Sequence, residues 1–490
     1  MAELTVLCPD KIMKIPFEAP AKLQSVLQAA GVLFDRPCGG RGVCGKCRAE
    51  LSGLVSEPNE AERKVGYRLL CQAALLGDAT LSLRGDAQLT QIESTTVRSF
   101  PPTHPMPGEY GFAVDIGTTT VVVQLYDLKS GKLIAESSGR NRQIAVAADV
   151  MGRIGQALEG KADELRSLIS DQIRDLMTQT LKRAGLADPD APCAVVTGNT
   201  TMLYLLTGRN PECLSHAPFV ADTLFDTTLP IWGRQVYLPP CFGAFVGADI
   251  ACAVLFSGLC SQDRTSLLCD IGTNGEMALW HEGTLSVCST AAGPAFEGAG
   301  ISCGCPSIPG AIFRVETDGH SLTPYTLGDL PPVGLCGSGL IDMVACLLQC
   351  GELDETGYLE DDYPIAKDVH LSPADIRALQ LAKAAIAAGM ETLLDSTNLS
   401  ASQLETLYLA GGFGNHLNLT SAARIGLIPE ELIPKAQPIG NAALSGAAML
   451  LLNTDLREEV RTWTKNARTV ILGGNPKFNQ AYVDQMIFPE

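Results

Sequence analysis

Four cysteines within the first 71 residues have the chemical type and the spacing to hold a metal cluster. Cys38, Cys44, Cys47 and Cys71 are separated by five, two and 23 residues. An iron–sulfur cluster needs four soft thiolates that converge from one side. The glycines between the first three cysteines let the backbone approach such a cluster closely. We therefore predict a 2Fe–2S cluster at these four residues.

A structural zinc site is the alternative that the same cysteines leave open. Zinc sites usually show two CxxC pairs, whereas here only Cys44 and Cys47 have that spacing. Plant-type ferredoxins have four residues in the first gap. The gap of five found here resembles the adrenodoxin-like variant, and this favours the cluster.

Two DIGT segments, at residues 115–118 and 270–273, form a second candidate site. Each follows an apolar strand-like run, and the two lie 155 residues apart. Glycine and threonine can point N–H and hydroxyl groups at a phosphate, and a strand-end aspartate can hold Mg²⁺ through water. The candidate residues are Asp115, Gly117, Thr118, Thr119, Asp270, Gly272, Thr273 and Asn274. One copy alone would be an ordinary turn, but two copies suggest two related lobes.

A third glycine-rich segment, GGFG, follows the apolar run LYLA. Gly411, Gly412 and Gly414 would let an adenosine ring lie against bare backbone. Residues 440–447, GNAALSGA, form a small-residue helix suited to close packing. The order of these segments resembles the actin-like ATPase superfamily. That resemblance implies two lobes with ATP between them, hairpin Asp and Thr residues near the phosphates, and the glycines near adenosine.

The elements that must carry these motifs follow from the pattern of the chain. LTVL and KIMKI alternate like strands, AKLQSVLQAAGV is helix-like, and LSLRG is a closing strand. Four prolines between 101 and 107 predict an extended linker. From Phe112 onward, short strands alternate with glycine-rich turns and helices, which is typical of α/β proteins. We predict a ferredoxin-like β-grasp domain (1–90), a linker (91–110) and a two-lobed actin-like ATPase domain (111–490).

Composition excludes several classes of protein. The 490 residues are 46% apolar and 18% charged, as in a well-packed globular protein. A formal net charge of −18 disfavours nucleic acid and anionic membranes. The chain begins without a signal-peptide pattern and has no run of 18 apolar residues. Most of its 17 cysteines stand in apolar runs, as reduced buried thiols do. We expect a cytoplasmic protein that does not enter the membrane.

A ferredoxin-like domain joined to an actin-like ATPase domain resembles the reductive activators of corrinoid proteins, which are ATP-dependent corrinoid reductases. Further stretches resemble the same family: NRQ (141–143), TGNTT (197–201), AGPAFEG (292–298) and CGSGL (336–340). The likeness runs over nearly the whole chain. Longer family members carry an extra middle domain after the linker. Only about twenty residues separate LSLRG from FAVDIG, so we expect that domain to be absent.

The resemblance implies a function and its components. The reaction would be ATP-dependent, one-electron reduction of the inactive Co(II) corrinoid of a methyl-transferring protein to Co(I), with the electron supplied through the cluster. It implies a 2Fe–2S cluster and ATP with Mg²⁺ on this chain, and the corrinoid on the partner. The partners would be a corrinoid protein of a methyltransferase or O-demethylase system and an electron-donating ferredoxin or flavoprotein. Asp115 and Asp270 would be catalytic, with Asp270 positioning Mg²⁺ or water; the alternative for Asp270 is that it caps its own turn.

Several interpretations stay open at this point. Ser302, Cys303 and Cys305 either face the corrinoid or form a turn with small buried thiols. Glu297 either lines the nucleotide cleft or only belongs to a turn. The apolar helix at 376–394 suits either a homodimer contact or the core. Two other functions are a kinase or hydantoinase-like ATP-dependent enzyme with a redox domain, and a redox-sensing binding module regulated by nucleotide.

Overall fold

A computed structural model describes residues 2–8, 11–30, 47–65, 67–82, 100–187, 191–414 and 417–489. By their contacts, the residues form two units. The first unit contains residues 1–89, 140–172 and 205–215. The second unit contains residues 90–139, 173–204 and 216–490.

The N-terminal part of the first unit is a mixed sheet with one helix against it. Its strands run in the order β2-β1-β6-β4-β5, and β3 pairs with β6. The strands and helices are β1 (Ala2–Cys8), β2 (Lys11–Phe17), β3 (Ala21–Lys22), α1 (Leu23–Ala29), β4 (Arg48–Val55), α2 (Glu60–Val65), β5 (Arg68–Leu69) and β6 (Ala74–Ser82). This is the predicted ferredoxin-like β-grasp arrangement.

Alternating side chains build the core of this sheet. Leu4 and Val6 on β1 are fully buried, as are Leu23 and Leu27, which lie one turn apart on α1. The two predicted strands LTVL and KIMKI are confirmed as β1 and β2. The closing strand begins earlier than predicted, at Ala74, because the alternation of buried and exposed residues already starts there.

The second half of the predicted linker is packed within the second unit. The Met106 N–H donates to the Leu451 carbonyl at 2.9 Å, and the Thr454 N–H donates to the His104 carbonyl at 2.8 Å. Met106 is buried, and the ring of Phe100 contacts Phe256 edge to face. Residues 83–99, which contain the first half of the linker, lie outside the described residues.

The chain then forms a first α/β sheet with its helices. Its elements are β7 (Tyr110–Ile116), β8 (Thr120–Asp127), β9 (Leu133–Arg140), α3 (Val150–Gln156), α4 (Ala162–Ala184), β10 (Cys193–Gly198), α5 (Thr200–Thr207), β11 (Thr227–Ile231), β12 (Arg234–Leu238) and α6 (Ala248–Ser257). The strand order is β11-β12-β10-β7-β8-β9.

A second sheet and its helices complete the described chain. Its elements are β13 (Ser266–Ile271), β14 (Gly275–His281), β15 (Thr284–Thr290), β16 (Ala311–Thr317), β17 (Leu322–Thr326), β18 (Gly334–Leu335), α7 (Gly337–Cys350), β19 (Tyr363–Ala366), β20 (Val369–Leu371), α8 (Pro373–Asp395), β21 (Thr406–Ala410), α9 (Gly411–Gly414), α10 (Leu419–Arg424), β22 (Ala436–Gly440), α11 (Ala442–Leu452), α12 (Leu456–Asn466), β23 (Arg468–Thr469) and α13 (Pro476–Asp484). The strand order of the large sheet is β22-β21-β13-β14-β15-β23, whereas β17-β16-β18 and β19-β20 form two smaller, separate sheets.

The two large sheets share a plan, as the repeated DIGT segment predicted. In each, an antiparallel hairpin (β7–β8 or β13–β14) is extended by two parallel strands. The hairpin aspartates hold equivalent positions, because Asp115 is opposite Thr197 and Asp270 is opposite Ala410. In each sheet, the aspartate therefore lies beside the carboxyl end of the neighbouring parallel strand.

The apolar stripe at 376–394 belongs to the core. It forms most of α8, whose residues from Ile376 to Leu394 are largely buried in the cluster that also contains Leu340 and Leu409. The packing favours the core interpretation of the stripe, and a homodimer stays a separate prediction. Within the described ranges, no helix combines the length and the apolar character needed to cross a bilayer.

The small-residue helix α11 packs closely against α6, as predicted. A Cβ atom added at Gly446 would lie 2.0 Å from the carbonyl oxygen of Cys252. That oxygen is backbone, so it cannot rotate away, and the helices can touch here only because residue 446 lacks a side chain.

We expect Gly446→Ala to lower the free energy of unfolding by about 1–3 kcal/mol, because the added methyl forces α6 and α11 apart. Urea denaturation of both proteins measures the loss. The control is Gly155→Ala in α3, where an added Cβ meets no atom within 4 Å. A loss no greater for Gly446→Ala than for Gly155→Ala would contradict the packing argument.

A lysine is buried in the core beside the C-terminal segment. Lys383 on α8 has no exposed surface, its ammonium donates to the Ile487 carbonyl at 2.6 Å, and it lies 5.5 Å from the Phe488 ring centroid. Burial lowers the pKa of Lys383 from 10.5 to about 8. The charged form therefore destabilises the folded protein.

Between pH 8 and 10.5 the unfolded chain holds the Lys383 proton while the folded chain has released it. Stability must therefore rise with pH across this window. Relative to Lys383→Met, we expect the wild type to gain on the order of 1–3 kcal/mol from pH 8 to 10. Urea denaturation at several pH values checks this, with the exposed Lys132→Met as control. Parallel curves for the wild type and Lys383→Met would refute it.

Candidate functional site

Two of the four predicted cluster ligands meet in the ferredoxin-like domain. The Sγ atoms of Cys47 and Cys71 lie 3.2 Å apart, and both side chains are buried. A disulfide would require about 2.05 Å, so these are two thiols that converge on one place. Cys38 and Cys44 lie outside the described residues. Neighbouring soft donors of this kind fit an iron–sulfur cluster.

Backbone pairing brings the two cysteines together. Strand β4 starts directly after Cys47, and its Arg48 pairs with Leu69 of β5. The Leu70 N–H donates to the Cys47 carbonyl at 2.8 Å. Cys71 follows immediately, so the distance between the two sulfurs is set by a short strand pair.

Glu62 holds the segment that presents Cys71. Its carboxylate accepts hydrogen bonds from Arg68 Nε at 3.0 Å, from the Leu69 N–H at 2.9 Å and from the Asn59 N–H at 3.0 Å. Burial acts to raise the pKa of Glu62, but the Leu69 and Asn59 N–H groups and Arg68 bring that pKa below its usual value. The carboxylate is therefore ionised at neutral pH and stabilises this turn.

We expect Cys71→Ser to lose most of the cluster iron, because a serine oxygen is a poor replacement for a soft thiolate. Iron and acid-labile sulfide counts on anaerobically purified protein measure the loss, and the visible absorption of the cluster should fall with them. Cys260→Ser, a thiol in the second unit, is the matched control and should retain the wild-type count. Zinc in place of iron in the wild type would contradict the assignment.

The two DIGT segments form turns at the ends of β7 and β13. In the first, the Gly117 N–H donates to the Thr120 carbonyl at 2.9 Å, and a Cβ at Gly117 would lie 2.6 Å from that oxygen. In the second, the Gly272 N–H donates to the Asn274 carbonyl at 3.0 Å. Both turns therefore hold their threonines beside strand-end aspartates, as predicted.

Four carboxyl groups gather at these strand ends. Desolvation raises the pKa of Asp115 to about 6, against the opposing hydrogen bond from Asn441. Desolvation, and then the charge of Asp115, raises the pKa of Asp270 to about 7.

The other two carboxyl groups belong to Asp249 and Glu276. The pKa of Asp249 is raised to about 7, mainly by desolvation and further by the charges of Asp115 and Asp270. Desolvation also raises the pKa of Glu276, as do the charges of Asp249 and Asp270, although Asn274 donates a hydrogen bond to it. Like charges in a low dielectric favour the binding of a cation.

Polar side chains connect the turns to other elements. Asn441 Nδ2 donates to Asp115 Oδ2 at 2.9 Å, and its Oδ1 also caps α11 by accepting from the Leu444 N–H. Asn199 Nδ2 lies 3.2 Å from Thr118 Oγ1. These bonds fix the first turn from two sides.

Glu297 connects the two turns directly. Thr119 Oγ1 donates to Glu297 Oε2 at 2.5 Å, and Thr273 Oγ1 donates to Glu297 Oε1 at 2.9 Å. Of the two interpretations that the sequence left open for Glu297, its position supports lining of the cleft.

The GGFG segment adjoins the second turn. Gly411 has φ +87°, and a Cβ there would lie 2.5 Å from Asp270 Oδ1, so only glycine suits the position. An added Cβ at Gly412 would meet no atom within 4 Å, which leaves its surface open. The ring of Phe413 stacks on Phe296 with 5.1 Å between centroids.

The GISCGCPS segment lies in the same unit. Cys303 Sγ lies 3.6 Å from His370 Nδ1, and Ser302 N–H donates to Asp375 Oδ1 at 2.7 Å. Cys303 and Cys305 are half-buried, and their predicted contact with a corrinoid stays a prediction. Among the described residues, no three His, Cys, Asp or Glu side chains are arranged to hold a metal ion directly.

Sequence reasoning missed Asp249, Glu276 and the contact of Asn441 with Asp115. Asp249 stands in the apolar run FVGADIACAVLF, and an acidic residue in such a run is a sign of function that could have been used. Asn441 carries no such sign, because its contact with Asp115 joins segments that are 326 residues apart. Glu276 lies opposite Asp270 in the β13–β14 hairpin, so the hairpin pattern itself was the signal for it.

Three family models match the chain. The model for the 2Fe-2S iron-sulfur cluster binding domain matches residues 10–76. The RACo middle region matches residues 110–262, and the C-terminal domain of RACo, described as the ASKHA domain, matches residues 264–490. The family's middle region is thus matched within residues that the sequence analysis gave to the ATPase domain, rather than missing. The boundaries 1–90, 91–110 and 111–490 stay predictions.

Named proteins resemble the chain over most of its length. The corrinoid activation enzyme RamQ of Eubacterium limosum is 35% identical, over 77% of this chain and 70% of that protein. The [Co(II) methylated amine-specific corrinoid protein] reductase of Methanosarcina barkeri is 25% identical, over 77% of each. A solved structure, the reductive activator for corrinoid,iron-sulfur protein, is 28% identical with a TM-score of 0.72, over 100% of this chain and 99% of that one.

Proposed function

Since the chain belongs to the family of corrinoid activation enzymes, we propose that it uses ATP to drive one-electron reduction of a Co(II) corrinoid, held by a partner protein, to Co(I). The observation that carries this proposal is that one polypeptide combines the converging thiols of Cys47 and Cys71 with a pair of facing phosphate turns. Neither a simple electron carrier nor a simple ATPase needs both.

The ferredoxin-like domain would hold the redox group. Cys38, Cys44, Cys47 and Cys71 are the proposed ligands, and a 2Fe–2S cluster bound there supplies one-electron redox chemistry. Glu62 would position the ligands without binding the cluster, because its ionised carboxylate accepts hydrogen bonds from the turn before Cys71.

The need for ATP follows from energetics. Plant-type 2Fe–2S centres have potentials near −400 mV, and reducing a more negative acceptor costs about 2.3 kcal/mol per 100 mV for one electron. Binding and hydrolysis of ATP assist such a step only when they change the affinity or coordination of the acceptor.

The turns at Gly117–Thr119 and Gly272–Asn274 would take the phosphates through backbone N–H groups and hydroxyls. Mg²⁺ keeps several waters in most nucleotide sites, so Asp115 and Asp270 would hold it through water. Gly411, Gly412 and Gly414 would border adenosine. A cation here would also offset the crowding of the four carboxyl groups.

The partners follow from the chemistry of the reaction. The acceptor would be the corrinoid protein of a methyltransferase or O-demethylase system, since methyl transfer to a corrinoid requires Co(I). The electron would come from a low-potential ferredoxin or flavoprotein. We place the protein in the cytoplasm, where such carriers operate.

We expect the pre-reduced protein to form Co(I) on a Co(II) corrinoid protein with Mg-ATP, and at least tenfold less without it. Anaerobic absorption spectra of the corrinoid record the product. Equal Co(I) formation with and without Mg-ATP would remove the role of ATP.

Asp270→Asn should abolish the stimulation by ATP, a loss of about tenfold or more in rate, because it removes the carboxylate that would hold Mg²⁺ through water. Iron content should not change, since Asp270 lies outside the ferredoxin-like domain. The exposed Asp263→Asn is the control and should behave as wild type.

A further inference from the structure

A single carboxylate joins the two phosphate turns. Glu297 ends the short 3₁₀ turn Pro294–Glu297, and it accepts hydrogen bonds from Thr119 and Thr273 on separate oxygens. Thr119 is 178 residues from Glu297 in sequence and belongs to the first sheet, whereas Thr273 belongs to the second.

The bonds occupy donors that a phosphate would need. A threonine hydroxyl has one hydrogen to donate. Thr119 and Thr273 therefore cannot donate to Glu297 and to a phosphate oxygen at the same time. A carboxylate and a phosphate also repel each other at short range, unless a cation or a proton lies between them.

We propose that Glu297 makes the site respond to the terminal phosphate of the nucleotide: the γ-phosphate of ATP takes the hydroxyls of Thr119 and Thr273 and displaces Glu297, whereas ADP leaves both hydrogen bonds in place. The inference rests on the proposed function, because it requires ATP at these turns. It deepens that function by naming the residue whose contacts differ between the ATP and ADP states.

The packing around Glu297 indicates which residues would move when the γ-phosphate displaces its carboxylate. Phe296 is buried and stacks on Phe413 of the GGFG segment. A Cβ at Gly337 would lie 1.8 Å from the Phe296 carbonyl oxygen, so the start of α7 presses on this turn. A Cβ at Gly298 would lie 2.3 Å from the carbonyl oxygen of Cys305.

These close approaches couple the turn to the start of α7 and to the backbone of Cys305. Displacement of Glu297 passes to residues 298–305, which include the half-buried Cys303. The nucleotide state is thereby carried from the cleft to a part of the surface that a partner protein can contact.

The test compares Glu297→Gln with the wild type by calorimetric titration of the full-length, anaerobically purified protein. The ligands are ADP and a non-hydrolysable ATP analogue, each with Mg²⁺. Glutamine keeps the size and an acceptor oxygen but removes the charge. We expect the analogue to bind about tenfold more tightly to Glu297→Gln, with ADP within twofold of the wild type. Glu282→Gln, at an exposed turn, should match the wild type for both ligands.

A second measurement needs no variant. In the wild type, hydrogen exchange of residues 294–305 should be faster with the ATP analogue than with ADP, because only the former breaks the bonds of Glu297.

Two results would overturn the role of Glu297 but not the proposed function. One is unchanged or weaker binding of the analogue by a folded Glu297→Gln. The other is equal hydrogen exchange of residues 294–305 in the two nucleotide states. A wild-type protein that binds neither nucleotide would overturn the proposed function as well.

Discussion

The gathering of carboxyl groups at the strand ends is the constraint on which the second unit depends. Asp115, Asp249, Asp270 and Glu276 come from two strand ends, a helix start and a hairpin strand, and each has its pKa raised by desolvation and, for the last three, by its acidic neighbours. Such a group of charges opposes folding unless donors or a cation compensate it. The fold supplies a few hydrogen-bond donors to these groups, among them Asn441 Nδ2 and the Ile250 N–H.

The hydrogen-bond donors that compensate these carboxyl groups also have structural roles. Asn441 caps α11 with its oxygen and donates to Asp115 with its nitrogen, so one amide serves both helix start and cleft. The backbone N–H of Ile250 holds Asp249 at the start of α6. Since α6 and α11 touch closely at Gly446, the positions of these two polar groups depend on each other.

In the ferredoxin-like domain, the constraint is that cysteines from separate segments must lie within one small volume. Cys47 and Cys71 are set by a strand pair of two residues and by the hydrogen bonds of Glu62, all within about 25 residues. This arrangement is local, whereas the proposed nucleotide cleft depends on contacts across hundreds of residues. The two sites therefore place different demands on the chain.

Much of this could be predicted from the chain alone, because the evidence was local. The cysteine spacing predicted the thiol pair, the repeated DIGT predicted two sheets with one plan, and the alternation in LTVL and KIMKI predicted β1 and β2. Gly117 could be assigned to a turn for the same reason. Each of these features is decided by neighbours in sequence, where side-chain period and turn chemistry act.

Tertiary structure decided the partners of each polar group. Glu297 in AGPAFEG reads as an ordinary turn residue, and only folding places its two oxygens beside Thr119 and Thr273. Asp249 and Asn441 likewise gain their roles from segments far away in sequence. The helix at 376–394 was open to two interpretations until packing placed it in the core. Sequence period shows which face of an element is apolar, but long-range packing determines what that face meets.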